Sequence, residues 1–394
     1  MRILWILILV STPFGALADS DDGFKLVYTQ VLFRHGARAP TERITDPAYE
    51  SAFPRGLGEM TDRGFENSYR LGEFLGNRYV KSGFLNANLK PTEMYWRSVN
   101  KNRCLSSASA VGYGMFDDKV RHLHVPVLTE EVNEDLLNYD QTNCHKELDL
   151  VKAKCPDFDG ILEPWPKYEA FIAKCLNYTH PVFADYPFET LEAYINQYKN
   201  SIPLPKELEP HIDHIMSLYV KVTQFITGTG YHHDPRMMRI KFGYLVKKLL
   251  GNLRGAISGI QQKAKIRKFT VYSTQDWILM GVLDSFGVLK ETVGLEVYPE
   301  YNSMILIELF EKNDEFFVKM LYKREEITSD NHQLIDVSHL VRNCPRDQMY
   351  CPIKAFLACC KEYEEEKGKG CDVDKRRRAR SVWKWREPRF AGPA

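Results

Sequence analysis

The segment at residues 34–40, Arg-His-Gly-Ala-Arg-Ala-Pro, most constrains what this chain can fold into. It follows an apolar run at residues 26–33 that is typical of a buried β-strand. Arginine and histidine are costly to bury at a strand end unless an anionic group meets them. The glycine lets a ligand approach the backbone closely. A basic surface turn is the alternative, but the whole pattern favours a site for an anion.

The residue types in this segment suit phosphoryl chemistry. The planar guanidinium groups of Arg34 and Arg38 match phosphate oxygens two at a time. A neutral imidazole such as that of His35 can act as a nucleophile. The local chemistry therefore predicts phosphoryl transfer through a phosphohistidine.

Hydrophobic periodicity predicts the fold class. Strands alternate with helices up to about residue 115, helical patterns dominate from about 144 to 251, and strand patterns return from residue 269, with a hairpin at 304–322. We expect an α/β protein, with a mixed, mostly parallel sheet flanked by helices and an inserted, mainly α-helical cap. The predicted divisions are a first catalytic α/β segment at 19–143, a helical cap at 144–260, a second catalytic segment at 261–371 and a basic, disordered tail at 372–394.

The amino-terminal residues resemble a secretory signal peptide. Arg2 precedes an apolar run at residues 3–10, and Ala-Leu-Ala at 16–18 fits a cleavage site. The run is shorter than the roughly 20 apolar residues that span a bilayer, and no second candidate span is found. We expect residues 1–18 to be removed and the product to be secreted or lysosomal, without a transmembrane segment.

Charge is distributed unevenly along the chain. The formal net charge is +1, from 53 basic and 52 acidic residues. The last 24 residues carry an excess of five positive charges, so the remainder, without Arg2, carries −5. An acidic body argues against nucleic acid as a partner. We interpret the tail as a solvated extension, with a patch for anionic surfaces or a protease site as alternatives.

Nine cysteines agree with an oxidising compartment, and their odd number leaves at least one thiol unpaired or paired between chains. The neighbours Cys359 and Cys360 are expected to bond elsewhere rather than to each other. Asn177 begins the one glycosylation sequon found, which predicts a surface position. No cysteine spacing resembles a zinc site, and no metal or cofactor is predicted. Histidine pairs are interpreted as helix surface or loop, at 211 and 214 and at 232 and 233.

The pattern RHGxRxP after a strand resembles the signature of the histidine acid phosphatases, branch 2 of the histidine phosphatase superfamily. Further stretches resemble this family in the same order along the chain, covering most of residues 24 to 371. They are residues 56–79 after the first strand, Arg97-Ser98 at a strand end, residues 243–246, the hairpin, and Cys344…Cys351-Pro352. The resemblance implies an acid phosphatase, acting on small phosphate monoesters or phosphoproteins, and suggests a homodimer.

The resemblance also implies roles for individual residues. Arg34, Arg38 and Arg97 bind the phosphoryl group, His35 attacks phosphorus, and Asp276 donates a proton to the leaving oxygen. Gln275 stands where the family has a histidine that contacts the phosphoryl group. This difference predicts a weakened enzyme. The alternative is a catalytically inactive pseudophosphatase with a binding role.

Two disulfides follow from the same resemblance. They are Cys155 with Cys371, which would tie the cap to the carboxyl-terminal part, and Cys344 with Cys351, which would close a short loop. The pairing of the remaining cysteines is left open: Cys104, Cys144, Cys175, Cys359 and Cys360.

Overall fold

A computed structural model describes residues 23–41, 51–117, 122–131, 144–161, 164–324 and 333–365. The predicted signal peptide, the basic tail and Cys371 lie outside these ranges. The strands are β1 (Lys25–Arg34), β2 (Met94–Ser98), β3 (Val127–Leu128), β4 (Phe269–Thr274), β5 (Met304–Lys312), β6 (Glu315–Lys323), β7 (Ile335–Asp336) and β8 (Cys351–Pro352). The helices are α1 (Asp62–Leu75), α2 (Asn102–Phe116), α3 (His145–Lys154), α4 (Trp165–Cys175), α5 (Leu191–Lys199), α6 (Ile212–Thr227), α7 (Pro235–Gln261), α8 (Asp276–Phe286), α9 (Leu289–Thr292) and α10 (Ile353–Ala358).

The strands form one mixed sheet in the order β3-β2-β4-β1-β5-β6-β7, with β8 paired to β6. The first four of these run parallel, and β5, β6 and β7 join antiparallel. Thr274 lies opposite Arg34 and Ser273 lies opposite Ser98, so β1, β4 and β2 end at the same edge. The predicted α/β class and the hairpin of β5 and β6 are confirmed. Ligands of such sheets bind outside the carboxyl ends of the parallel strands.

Helices cover both faces of the sheet because β1 alternates its apolar side chains between them. Tyr28 and Leu32 point into a core shared with α7 and α8, whereas Val31 and Phe33 point into a core shared with α1 and α2. Val31, Leu32 and Phe33 have no exposed surface. Burying side chains of this size stabilises the fold by roughly 1.5–3 kcal/mol each. The double coverage therefore holds β1, and the segment that follows it, in the centre of the molecule.

The helices between the two halves of the sheet build a smaller core of their own. Side chains of α3, α4, α5 and α6 form it, among them Ile172, Leu191 and Ile215. The 27-residue helix α7 contributes Met237 to this core, while its middle part packs on the sheet through residues such as Phe242 and Leu249. The predicted cap boundary at residue 260 stays a prediction.

The disulfides differ in part from those implied by the resemblance. Cys344 bonds to Cys351, as predicted. The predicted bond between Cys155 and Cys371 is wrong, because Cys155 bonds to Cys175 within the cap. The carboxyl end of α4 lies against the carboxyl end of α3, which brings these two cysteines together. Cys359 and Cys360 bond to each other, so the expectation that they bond elsewhere is wrong. Cys104 is a buried thiol, and Cys144 is disulfide-bonded.

Two surface features from the sequence can be located. Asn177 is exposed just after α4, in agreement with the predicted surface position, and its glycosylation stays a prediction. Within the ranges described, none of the helices combines the length and the apolarity needed to cross a membrane.

Helix α1 packs unusually closely on the segment after β1. Thr61 caps the helix by accepting a hydrogen bond from the backbone N–H of Gly64, and its hydroxyl donates to the carbonyl of Ala37. A Cβ atom on Gly64 would lie 2.1 Å from the carbonyl oxygen of Ala37. A Cβ on Gly36 would lie 2.4 Å from the carbonyl oxygen of Gly64. Both glycines are therefore required by the packing of the helix against the strand end.

Gly64→Ala should consequently destabilise the protein and reduce the activity of the site beside it. Overpacking against rigid backbone costs roughly 1–3 kcal/mol. Gly251→Ala is the matched control, since a Cβ there meets nothing within 4 Å in helix α7. It should stabilise the protein by up to about 1 kcal/mol. Urea unfolding measures both, and equal stability of the two variants would contradict the packing argument.

Candidate active site

The histidine of the RHGARAP segment lies where three strands meet. The backbone N–H of His35 donates to the carbonyl of Thr274 at the end of β4, at 3.0 Å. The N–H of Arg34 donates to the carbonyl of Ser303, just before β5, also at 3.0 Å. The strand end is thus held from both sides, and His35 is only 1% exposed.

The hydrogen bonding of His35 selects one tautomer. Its Nδ1 lies 2.9 Å from the carbonyl oxygen of Gly36, which can only accept, so Nδ1 carries a proton. The Nε2 atom then retains its lone pair. Burial lowers the pKa of His35 well below its usual range, and the charges of Arg103, Arg34 and Arg38 lower it further. The imidazole therefore stays neutral into the acidic range and can act as a nucleophile.

Arg34 is fixed on three sides. Its Nη2 contacts Oδ2 of Asp276 at 2.7 Å, and its Nη1 donates to the carbonyl of Pro299 at 2.8 Å. The guanidinium carbon lies 4.2 Å from the ring centre of Tyr301, a cation–π contact. These contacts hold the planar group in one orientation beside His35.

Arg38 is held by a residue of the cap. Its Nη1 donates to Oε1 of Glu192, in helix α5, at 2.7 Å. The same carboxylate accepts from the backbone N–H of Thr41 at 2.9 Å and from Nδ2 of Asn196 at 2.8 Å. Arg38 and Glu192 are both buried, so the pair is screened little by solvent. The cap thereby fixes a charged group of the RHGARAP segment.

The third arginine at the site differs from the one expected. Arg97 forms an ion pair with Glu130 at 2.5 Å. The charge that acts on His35 together with those of Arg34 and Arg38 belongs to Arg103. The side chain of Arg103 starts from the first turn of α2, a helix that begins at the same sheet edge. Burial and the charge of Arg38 lower the pKa of Arg103.

A sequence signal for Arg103 exists, although it is weak. An arginine in the first turn of a helix opposes the helix dipole, which favours anions there. Such a placement is unfavourable unless an anion or a polar acceptor faces the side chain. Arg97 lies within β2 and Arg103 lies five residues beyond its end, so position in the sequence favours Arg97, and only the orientation of the side chains identifies Arg103.

Helix α8 supplies the two polar residues on the other side of the site. Gln275 precedes the helix, and its Oε1 accepts a hydrogen bond from Nη2 of Arg103 at 3.0 Å. Asp276 is the first helical residue, and its Oδ1 accepts from the backbone N–H of Trp277 at 2.8 Å. A carboxylate is stabilised at this end of a helix by its dipole. The structure therefore brings five predicted site residues together: Arg34, His35, Arg38, Gln275 and Asp276.

The arrangement fits an oxyanion with several oxygens. The Nε–H groups of Arg34, Arg38 and Arg103 are buried and have no hydrogen-bond acceptor in the part of the chain that the structure describes. Buried donors without acceptors are uncommon in proteins and often mark a missing ligand. Guanidinium groups bind phosphate and carboxylate in a bidentate way. The site can therefore hold a phosphoryl group against Nε2 of His35.

Histidine pairs elsewhere have other contacts. His211 and His214 lie beside His180 in the cap, with ring centres 4.7 and 5.5 Å away from it. His232 is 2.9 Å from the hydroxyl of Tyr178. Among the described residues, no cluster of His, Cys, Asp or Glu side chains has an arrangement that could hold a metal ion.

Comparison with known proteins identifies relatives along most of the chain. Residues 25–204 match the histidine phosphatase superfamily (branch 2). A Caenorhabditis briggsae protein named "Putative acid phosphatase 1" is 30% identical over 383 residues, which are 92% of this chain and 84% of the relative. The human prostatic acid phosphatase is 28% identical over 323 residues, which are 76% and 78% of the two chains.

Solved structures share the fold at much lower identity. The Hafnia alvei phytase in complex with myo-inositol hexakis sulphate has a TM-score of 0.60 and 13% identity, over 90% of this chain and 100% of the phytase. The Bifidobacterium longum multiple inositol polyphosphate phosphatase, in complex with inositol hexasulfate, has a TM-score of 0.56 and 10% identity, over 90% and 96%. The family resemblance of the RHGARAP segment is thus confirmed along the chain. The protein belongs to branch 2 of the histidine phosphatase superfamily and is a phosphatase.

Proposed function

We propose that this protein hydrolyses phosphate monoesters at acidic pH through a covalent phosphohistidine on His35. The observation that carries the proposal is a buried, neutral imidazole with a lone pair on Nε2, lying among three arginines and next to a carboxylate on a helix terminus. Nucleophile, anion-binding groups and proton donor are the three components that phosphoryl transfer requires.

The arginines bind the phosphoryl group and stabilise its charge. The charges of Arg34, Arg38 and Arg103 act on His35, and their buried Nε–H groups can donate to phosphoryl oxygens. In the transition state this charge is distributed over the equatorial oxygens, so fixed cations stabilise it without having to reorganise. On this reasoning, Arg103 takes the part that the family resemblance gave to Arg97.

The reaction proceeds in two steps. Nε2 of His35 attacks phosphorus, the bond from phosphorus to the ester oxygen breaks, and Asp276 transfers its proton to the departing oxygen. Water then attacks the phosphohistidine, its proton passes to the Asp276 carboxylate, and the phosphorus–nitrogen bond breaks to release inorganic phosphate. The products are an alcohol and phosphate, and Asp276 is again protonated.

Gln275 weakens the enzyme without removing its chemistry. A charged hydrogen-bond donor to phosphate contributes roughly 1.5–3 kcal/mol and a neutral one roughly 0.5–1.5 kcal/mol. An amide in place of an imidazolium thus loses about 1–2 kcal/mol, on the order of 5- to 30-fold in rate. The amide oxygen also keeps Arg103 in position.

The remaining expectations extend the proposal to the setting of the enzyme. Its substrates are small phosphate esters, with phosphoproteins as a further class. Secretion or lysosomal delivery is supported by disulfides such as those of Cys155 and Cys344, because such bonds persist in oxidising compartments. A homodimer is proposed from the family resemblance alone.

A non-catalytic binding protein is the second candidate, and Gln275 is the observation that favours it. Such a protein would keep the three arginines as an anion site without turnover. Phosphatase activity that depends on His35 distinguishes the two candidates.

Purified protein should hydrolyse p-nitrophenyl phosphate, with more activity at acidic than at neutral pH, because Asp276 must carry a proton while His35 stays neutral. His35→Ala removes the nucleophile and should abolish this activity. Release of p-nitrophenol from pH 4 to pH 8 measures both. Absence of activity above that of the His35→Ala variant would contradict the enzyme proposal.

Replacement of arginines tests which of them binds the phosphoryl group. Arg103→Ala should lower kcat/KM by about 10²- to 10³-fold, as for the loss of one preorganised transition-state donor. Arg97→Ala is the matched control, since Arg97 is paired with Glu130, and it should change kcat/KM less than tenfold. If Arg97→Ala lowers kcat/KM more than Arg103→Ala does, Arg97 binds the phosphoryl group, as first expected.

Restoring the histidine should increase the activity. Gln275→His introduces a donor that is charged at acidic pH, so we expect kcat/KM to rise about 5- to 30-fold at low pH and less at neutral pH. Gln275→Ala removes the amide donor to phosphate and also the oxygen that accepts from Arg103, so its kcat/KM should be lower than that of the natural protein. If the histidine variant is the less active one, the amide's hold on Arg103 matters more than the charge of the donor.

A further inference from the structure

A second charged region runs along α7 and the connection from α7 to β4. Residues 235–275 contain ten lysines and arginines and not one aspartate or glutamate. The chain as a whole has a net charge of only +1. Such a segregated run of positive charge is the mark of a surface for an anionic partner.

Part of this charge is available for a partner. Four residues of the run are exposed and form no ion pair within the described ranges: Lys248, Lys263, Lys265 and Arg267. Others of the run are engaged by acids elsewhere in the chain. Arg254 pairs with Glu364 at 3.1 Å, and Lys241 pairs with Glu147 at 2.6 Å.

Two of the four exposed cations line a cavity of about 410 Å³, which we call the basic groove. Lys248 of α7 and Arg267 of the connection line it, together with three tyrosines of the sheet, Tyr28, Tyr95 and Tyr272. Arg267 lies over the ring of Tyr95, at 5.4 Å from its centre. Tyr28 precedes Arg34 by six positions, which corresponds to about 20 Å along β1, whereas Tyr272 lies opposite Leu32 and nearer the catalytic end.

The helix leaves room for an occupant on this side. Gly251 and Gly255 line the groove, and a Cβ atom on either would meet nothing within 4 Å. Asn252 between them donates to the hydroxyl of Tyr272 at 2.9 Å and to Oε1 of Gln30 at 2.7 Å. The backbone of α7 at Gly251 and Gly255 thus forms one side of the groove. Tyrosines and Asn252 lie at its bottom, and Lys248 and Arg267 lie at its edge.

We propose that the basic groove binds a sulfated polysaccharide. One sugar unit lies against Tyr95, the partly exposed tyrosine of the groove, while Tyr28 and Tyr272 are buried beneath it. Its anionic groups lie on Lys248 and Arg267, and the next units lie on Lys263 and Lys265. An aromatic ring can pack on the face of a sugar ring, and lysine and arginine provide donors for sulfate oxygens. A membrane surface is disfavoured, because no large exposed hydrophobic side chain among the described residues belongs to this run.

Calorimetric titration of the protein with a heparin hexasaccharide tests the proposal. Saturating inorganic phosphate is present throughout, so that the arginines beside His35 are occupied and do not bind the hexasaccharide. The double variant Lys248→Ala, Arg267→Ala should bind about tenfold more weakly. The matched control is Lys206→Ala, Lys290→Ala, which removes two exposed charges elsewhere and should bind like the natural protein. Equal losses in the two double variants would reduce the binding to unspecific charge and overturn the proposal.

A variant that leaves the charge unchanged tests the cavity itself. Gly251→Leu, Gly255→Leu fills the groove, and leucine is the better helix former, so folding should be retained. Affinity for the hexasaccharide should fall about tenfold while hydrolysis of p-nitrophenyl phosphate is unchanged. Undiminished affinity would overturn the proposal. The proposal would also be overturned if single-stranded DNA or phosphatidylserine vesicles bound more tightly than the hexasaccharide and lost the same affinity in this variant.

Discussion

Three arginines that converge on one buried histidine are the constraint that the rest of the structure has to meet. Each is held by a different partner: Arg34 by Asp276, Arg38 by Glu192 of the cap and Arg103 by Gln275. Two of these partners are anions and the third is a neutral amide. The side chains of the site therefore carry an excess of positive charge that a phosphoryl group can neutralise.

The fold was predictable from sequence, and so was the position of the proposed nucleophile, because both rest on local patterns. The apolar run before Arg34 and the alternation of strands and helices predict the sheet, and the RHGARAP segment identifies His35. Arg103 was missed since strand and helix ends lie together only after the chain folds. Arg97 lies on the strand itself, and its side chain forms an ion pair with Glu130. Glu130 is 33 positions further along the chain, so this contact is not visible as a local pattern.

The disulfides illustrate the same limit. The bridge from Cys344 to Cys351, which closes a loop with a sequence separation of 7, was implied by the family resemblance and is present. The bond of Cys155 depends on how two cap helices pack, and that packing placed Cys175 next to it. The family resemblance implied a different partner for Cys155, namely Cys371.

Glu192 has a consequence for how a substrate enters. The carboxylate belongs to helix α5 of the cap, and the guanidinium that it holds belongs to the body of the protein. An arriving phosphate group offers Arg38 a stronger anion than a single carboxylate, so the two compete for the same donor. The position of the cap and the occupancy of the site are thereby coupled. A change that weakens the contact between Glu192 of α5 and Arg38 also raises the affinity of Arg38 for the phosphate group.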